Sequence, residues 1–113
     1  SYLAAKIPAE SLDHDDVFHP ILGVGILERN CAACSYTPPA CAVHYRSGNM
    51  LTCMFEKESF KTMTREDLEP MYALARQKHI EPYGDMIGRF VYSHTLNGKR
   101  LHGLWMGIAY RNL

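Results

Sequence analysis

Residues 86–110 have the sequence MIGRFVYSHTLNGKRLHGLWMGIAY, the clearest secondary-structure pattern in the chain. At its centre stands Asn97-Gly98, the strongest short signal for a two-residue hairpin turn. The flanking stretches are rich in aromatic and aliphatic residues, which favour strands. We therefore predict a β-hairpin whose two strands are residues 86–96 and 99–110.

A two-residue turn sets the register of this hairpin, because Leu96 must then face Lys99. One face carries four pairs: Gly88 with Gly107, Phe90 with Trp105, Tyr92 with Gly103, and His94 with Leu101. The other face carries Ile87 with Ile108, Arg89 with Met106, Val91 with Leu104, and Ser93 with His102. Both faces are apolar near the open end of the hairpin. A half-exposed hairpin has one polar face, so we expect both faces of these strands to be covered.

The first of these faces is the predicted binding surface. A single helix covers one face of the hairpin, which leaves the other face for a second sheet layer, a closed barrel, a partner subunit or a ligand. The glycines let the sheet curve, and Tyr92 opposite Gly103 is the aromatic-over-glycine packing that shields bare backbone. A curved sheet with a filled aromatic core is the leading structural interpretation, and a cleft or a dimer seam is the functional one. The residues predicted to line the contact are Phe90, Tyr92, His94 and Trp105.

One main helix precedes the hairpin. Apolar residues at i, i+3, i+4 and i+7 spacing predict a helix over residues 68–80. Thr64 and Asp67 are both candidate N-caps, and Asp67 is preferred because it puts Pro70 in the first turn. The apolar face of this helix consists of Leu68, Met71, Tyr72 and Ala75.

Three further strands are predicted before the helix. Residues 21–27 form the first, and residues 42–47 and 50–55 form a hairpin around the turn signal Gly48-Asn49. The first 20 residues show no clear pattern, and the segment 31–39 is expected to be a loop. The element order β, ββ, α, ββ predicts a single domain over residues 1–113. Its fold class is α+β, with a mainly antiparallel, curved sheet of about five strands packed on one main helix.

Four cysteines and a histidine in residues 31–53 suggest a zinc site. A Cys-x-x-Cys pair has metal-ligand spacing, and the predicted hairpin puts His44 opposite Cys53 on one face. The alternatives are buried thiols that act as small hydrophobes, disulfides, or a redox motif. No other cofactor is expected. The preferred ligand set is Cys31, Cys34, His44 and Cys53, with Cys41 as a substitute.

The charge balance restricts the class of partner. Twelve basic and 12 acidic residues give a formal net charge of zero, so attraction to phosphate is weak and nucleic acid is not a favoured partner. No apolar run approaches the roughly 20 residues that span a bilayer, so no membrane partner is expected. The modest cysteine count and the six methionines favour a reducing, cytoplasmic compartment, although the start at Ser1 leaves a removed signal peptide open.

From these patterns we expect a small non-catalytic binding or regulatory module. Its partner is either a protein or a small apolar ligand, and a homodimer is the simplest way to cover the second face of the hairpin. Two alternatives stay open. One is a small enzyme that uses His94 or His79 as its proton carrier, and the other is a zinc-stabilised protein-interaction module.

Overall fold

The computed structural model describes residues 1–46 and 48–113. In chain order the elements are β1 (Tyr2–Ile7), α1 (Ala9–His14), β2 (Val17–Phe18), β3 (Ile21–Gly25), α2 (Glu28–Ala33), β4 (Met50–Lys57), β5 (Met63–Thr64), α3 (Arg65–Gln77), β6 (Ile80–Leu96) and β7 (Lys99–Asn112). Five strands form an antiparallel sheet in the order β3-β1-β6-β7-β4, and β2 pairs with β5. The predicted α+β class is confirmed, with α3 as the main helix packed on the sheet.

The hairpin of β6 and β7 forms around the predicted turn. Asn97 and Gly98 both have positive φ angles, 52° and 77°, as a type I′ turn requires. Leu96 pairs with Lys99 and Tyr92 pairs with Gly103, which confirms the predicted register next to the turn.

The register changes beyond Val91, where β6 carries a one-residue bulge. Phe90 pairs with Leu104 and Arg89 pairs with Trp105, so the prediction that Phe90 faces Trp105 is wrong. The other pairs predicted between the bulge and Ile87 are likewise shifted by one residue along β7. A one-residue slip moves every later side chain to the opposite face of the sheet. Arg89 therefore lies on the face predicted for Phe90, and Phe90 lies on the face predicted for Arg89.

One face of the sheet, which we call the covered face, packs against α3. Leu68, Met71 and Ala75 of α3 are buried as predicted, and Tyr72 packs at their edge. Each large apolar side chain buried here stabilises the fold by roughly 1.5–3 kcal/mol. The strand residues buried in the same core are Ala5, Ile7, Phe18, Leu51, Phe55, Met63, Met86, Leu104, Met106 and Ile108, joined by Leu12 of α1 and by Phe60.

Helix α3 begins earlier than predicted. Thr64 is its N-cap: its side chain accepts a hydrogen bond from the Asp67 backbone N–H, and the Asp67 carboxylate accepts one from the Thr64 N–H. This reciprocal capping box satisfies two N–H groups that a cap at Asp67 would leave without partners. The preference for Asp67 as N-cap was wrong, and Pro70 lies inside the helix rather than in its first turn. The helix also ends earlier than predicted, at Gln77.

The second predicted hairpin does not form. Residues 42–46 contain no strand, and Ser47 lies outside the described residues. Strand β4 pairs with β7 instead, because that position puts Leu51 and Phe55 into the core over α3. Three smaller differences are that β1 lies in the segment without a clear pattern, α2 overlaps the predicted loop, and the strand predicted over 21–27 ends at Gly25.

The described molecule is flat. Its extents are 44 × 41 × 22 Å, and its radius of gyration is 15.1 Å, compared with about 13 Å for a compact chain of this length. These dimensions suit one sheet with α1 and α3 packed on the same side. No helix among the described residues has the length and apolar character needed to cross a membrane.

Candidate functional site

The side of the sheet opposite the covered face forms the candidate site, and we call it the open face. Side chains alternate between the two faces along each strand, so the register assigns residues to it directly. Helices α1 and α3 both contribute to the core on the other side. Open-face residues are Tyr2, Ala4 and Lys6 of β1, Ile87, Arg89, Tyr92 and His94 of β6, Trp105 of β7, and Thr52, Met54 and Glu56 of β4.

Trp105 lies on β7, the strand next to the β4 edge of the sheet, and is the sole tryptophan of the chain. Its side neighbours in register are Arg89 on β6 and Met54 on β4. Trp105 is 38% exposed and Met54 is 46% exposed, whereas Leu104 and Met106 on either side of Trp105 in the chain are fully buried. The open face therefore presents a large apolar centre to solvent.

Two tyrosine rings lie over glycines on this face. A Cβ atom added at Gly103 would lie 2.2 Å from a ring carbon of Tyr92, and one added at Gly25 would lie 2.3 Å from the ring of Tyr2. The first contact confirms the predicted packing of Tyr92 over Gly103. Rings that occupy the space above glycines lie against the backbone, so these two contacts fill gaps in the open face.

Tyr92, Glu56 and His94 form a polar cluster near the hairpin turn. The Tyr92 hydroxyl donates a hydrogen bond to Glu56 Oε2, and His94 Nε2 lies 3.1 Å from the same oxygen. The Tyr92 and His94 rings meet edge to face, 5.6 Å apart. The hydrogen bond from Tyr92, followed by that from His94, lowers the pKa of Glu56. The same contact raises the pKa of Tyr92, because ionised phenol would lose its bond to the carboxylate.

Charges of opposite sign lie on opposite sides of Trp105. Glu56 is on β4, while Arg89 and Lys6 are on β6 and β1. The Arg89 guanidinium lies 5.8 Å from the centre of the Tyr2 ring, a cation–π contact. The open face therefore combines an acidic side, an apolar centre and a basic side.

Three of the four predicted contact residues share the open face, namely Tyr92, His94 and Trp105. Phe90 does not, because the bulge turns it onto the covered face, where its ring lies edge to face with Phe60 at 5.6 Å. Sequence analysis missed Glu56, because its position depends on β4 pairing with β7. No local pattern signals that pairing.

The predicted zinc ligands are not gathered into one cluster among the described residues. Cys31 is in α2 and Cys34 directly follows it, while Cys53 is in β4, where burial raises the pKa of its thiol. His44 Nε2 lies 3.5 Å from a carboxylate oxygen of Glu28. Across residues 1–46 and 48–113, no three His, Cys, Asp or Glu side chains are grouped to hold a metal ion. The zinc site remains a prediction that the described arrangement does not support.

Two clefts are lined by residues other than Tyr92, His94 and Trp105. The first cleft has a volume of about 520 Å³ and contains Tyr45, whose hydroxyl lies 3.0 Å from a carboxylate oxygen of Asp85. Burial raises the pKa of Tyr45 to about 12, and the contact with Asp85 is the second cause. The other, of about 650 Å³, contains Ser93 and His102, whose Oγ and Nδ1 atoms are 2.6 Å apart. Ser93 and His102 are direct cross-strand neighbours, so their contact follows from the hairpin register.

Comparison of the chain with protein-family models, curated proteins and solved structures gives no match. The function is therefore inferred from the chemistry of the open face. That chemistry consists of an exposed tryptophan, two tyrosine rings packed over glycines, and charges of both signs around the tryptophan.

Proposed function

We propose that this protein is a non-catalytic binding module, and that its open face binds a second copy of the same chain. The observation that carries the proposal is the position of Trp105, an exposed aromatic side chain between Arg89 and Met54 on the sheet face opposite α1 and α3. Partly exposed tryptophan with flanking arginine and methionine is the composition enriched in protein contact sites.

The shape of the open face favours a protein over a small ligand. Small-molecule sites are concave and enclose most of the ligand surface. On the open face the rings of Tyr2 and Tyr92 fill the space above Gly25 and Gly103. The cleft of about 520 Å³ reaches this face at Ile87 and does not include Trp105 or Tyr92. The surface around Trp105 therefore suits another protein better than a small apolar ligand.

The charge pattern of the open face favours a second copy. A two-fold axis along the strands, between β6 and β7, would place Arg89 of each copy over Trp105 of the other, in reciprocal cation–π contacts. The formal net charge of zero adds no overall repulsion between copies.

The size of the open face predicts a reversible dimer. Five strands about 4.8 Å apart and about eight residues long give a face of about 600 Å² per copy. Two copies would bury about 1,200 Å², the lower end of the range for specific protein interfaces. We therefore expect association that depends on protein concentration.

Sedimentation of the Met54→Lys variant tests this proposal. A lysine at this position places an unpaired charge beside Trp105, so we expect the variant to lose at least tenfold in face-to-face association. Gln77→Lys is the matched control, because Gln77 is exposed at the end of α3 and the charge change is the same. Equal association of the two variants at every concentration would contradict the proposal.

An acid–base enzyme is the second candidate, and the contact between His94 and Glu56 is the observation that favours it. Both side chains are exposed, and water weakens the electrostatic effects that catalysis requires. The other candidate proton carrier, His79, lies exposed just after α3. We therefore place Glu56 and His94 at the rim of a contact surface.

A further inference from the structure

Strand β3 forms one edge of the sheet and has β1 as its neighbour. Its sequence is ILGVG, and no charged residue occurs between His19 and Glu28. An edge strand presents unpaired N–H and C=O groups along its outer side, and proteins usually protect such edges with charges, prolines or bulges. Pro20 precedes the strand, and the strand itself carries none of these protective features.

The side chains of β3 are unusually exposed for their type. Leu22 is 57% exposed and Val24 is 81% exposed, although both lie on the same side of the sheet as the core. Their partners on β1 are Ala5, which is buried, and Leu3, which is 50% exposed. The core therefore ends at β1, and an apolar strip continues beyond it to the edge.

The opposite edge of the sheet is different. Strand β4 carries Glu56 and Lys57 in its last two positions, and Lys57 forms an ion pair of 2.7 Å with Asp67. Charged residues of this kind discourage pairing with a further strand. Of the two edges, β3 is the one that suits strand addition.

The sequence of β3 is complementary to itself in antiparallel pairing. With Gly23 opposite Gly23 of another copy, Leu22 meets Val24 and Ile21 meets Gly25. Leu22 and Val24 then make apolar cross-strand contacts, and the large Ile21 lies beside a residue that has no side chain. This register pairs all five residues of the strand. Any other register that keeps the helix layers of both copies on the same side of the joined sheet pairs three residues or fewer.

We propose that β3 pairs antiparallel with β3 of a second copy, joining two five-stranded sheets into one sheet of ten strands. The two-fold axis passes midway between the two Gly23 residues, perpendicular to the sheet. The exposed strip of Leu3, Leu22 and Val24 then continues across the junction. This contact uses the edge of the sheet and leaves the open face free, so it is independent of the proposed function.

A cross-linking experiment tests the register. Because the two Gly23 residues face each other across the two-fold axis, Gly23→Cys puts two thiols opposite each other, and mild oxidation should then join the two copies. A side chain fits at Gly23, where an added Cβ has no atom within 4 Å, and the same is true of the control position Gly48. We expect Gly23→Cys to cross-link at least tenfold faster than Gly48→Cys and than the wild-type chain. Equal rates would overturn the proposed register.

Sedimentation separates the edge contact from the face contact. Val24→Lys blocks the edge and Met54→Lys blocks the open face. The two axes do not intersect, so with both contacts present the wild-type chain assembles beyond two copies into an open-ended series. Each single variant stops at two copies, and the double variant stays at one. Val24→Lys with the same mass as the wild type would overturn the edge pairing alone. Met54→Lys with the wild-type mass would overturn the face contact alone. A wild-type chain that is monomeric at every concentration would overturn both.

Hydrogen exchange locates the edge contact in the wild-type chain. Backbone amides of residues 21–25 should exchange more slowly as concentration rises, because pairing gives the outward amides partners. Val24→Lys should abolish this change, with circular dichroism of the variant unchanged. Exchange that is independent of concentration would contradict the pairing.

Discussion

The two faces of the sheet use the same strands for different purposes. On β7, Leu104 and Met106 are fully buried against the helix layer, and Trp105 between them is 38% exposed on the other side. The covered face supplies the apolar burial that stabilises the fold. The open face contributes less to folding, and its large side chains are therefore free to contact another molecule.

Truncation of a covered side chain should have the largest effect. Leu104→Ala removes buried methyl groups and leaves a cavity beneath α3, which should lower the free energy of unfolding by about 2–5 kcal/mol. Met54→Ala on the open face should cost about 1 kcal/mol or less, because nearly half of its surface is already exposed. Urea unfolding of dilute protein measures both. Losses of equal size would contradict the difference between the two faces.

Alanine substitutions at Gly88 and Gly103 test how firmly the neighbours of each glycine are held on the two faces. A Cβ atom at Gly88 would lie 2.0 Å from the Trp105 carbonyl oxygen, so Gly88→Ala forces the backbones of β6 and β7 apart. We expect a loss of about 1–3 kcal/mol in unfolding free energy. At Gly103 the conflict is with the ring of Tyr92, an exposed side chain that can rotate away.

Gly103→Ala should therefore cost less than Gly88→Ala while displacing Tyr92 from Glu56. Thermal unfolding gives the ranking of the two variants, and the Tyr92 ring resonances report the displacement. The reverse ranking would mean that the ring of Tyr92 is held as firmly as the strand backbone.

Hairpin register shows how far local sequence determines this structure. Asn97 and Gly98 predict the turn and the nearby pairs because turn chemistry depends on a few adjacent residues. The bulge at Val91 has no comparable local signal, and it decides that Phe90 faces the core. Strand β4 was predicted near its observed position but with the wrong partner, because partner choice depends on where Leu51 and Phe55 find a core.

The residues of the candidate site show the same difference between what local sequence determines and what long-range pairing determines. The prediction correctly placed Tyr92, His94 and Trp105 on one face. Tyr92 and His94 lie between the turn and the bulge, where the predicted register holds. Trp105 lies on β7, which has no bulge at this point. Arg89 was assigned to the wrong face for the same reason as Phe90. Glu56 was not predicted, since its place beside Tyr92 requires the long-range pairing of β4 with β7.

Acid titration should produce the smallest effect. Hydrogen bonds from Tyr92 and His94 lower the pKa of Glu56 below 4.5, its ordinary value. The contact therefore stabilises the folded state above that value and is lost as the pH falls through the lowered pKa. Tyr92→Phe should raise the pKa of Glu56, and His94→Gln should raise it less, as measured by NMR titration of the Glu56 carboxyl carbon. A pKa unchanged by both substitutions would contradict the described cluster.

Fluorescence of the single tryptophan tests the central claim most directly, because Trp105 is exposed on the open face between Arg89 and Met54. Acrylamide quenching of the wild-type chain is measured at low and at high protein concentration, beside the mass in solution. We predict strong quenching at low concentration, and weaker quenching with emission at shorter wavelengths as the mass rises. Quenching that stays equally strong at both concentrations would contradict the claim that the open face is the binding surface for a second copy.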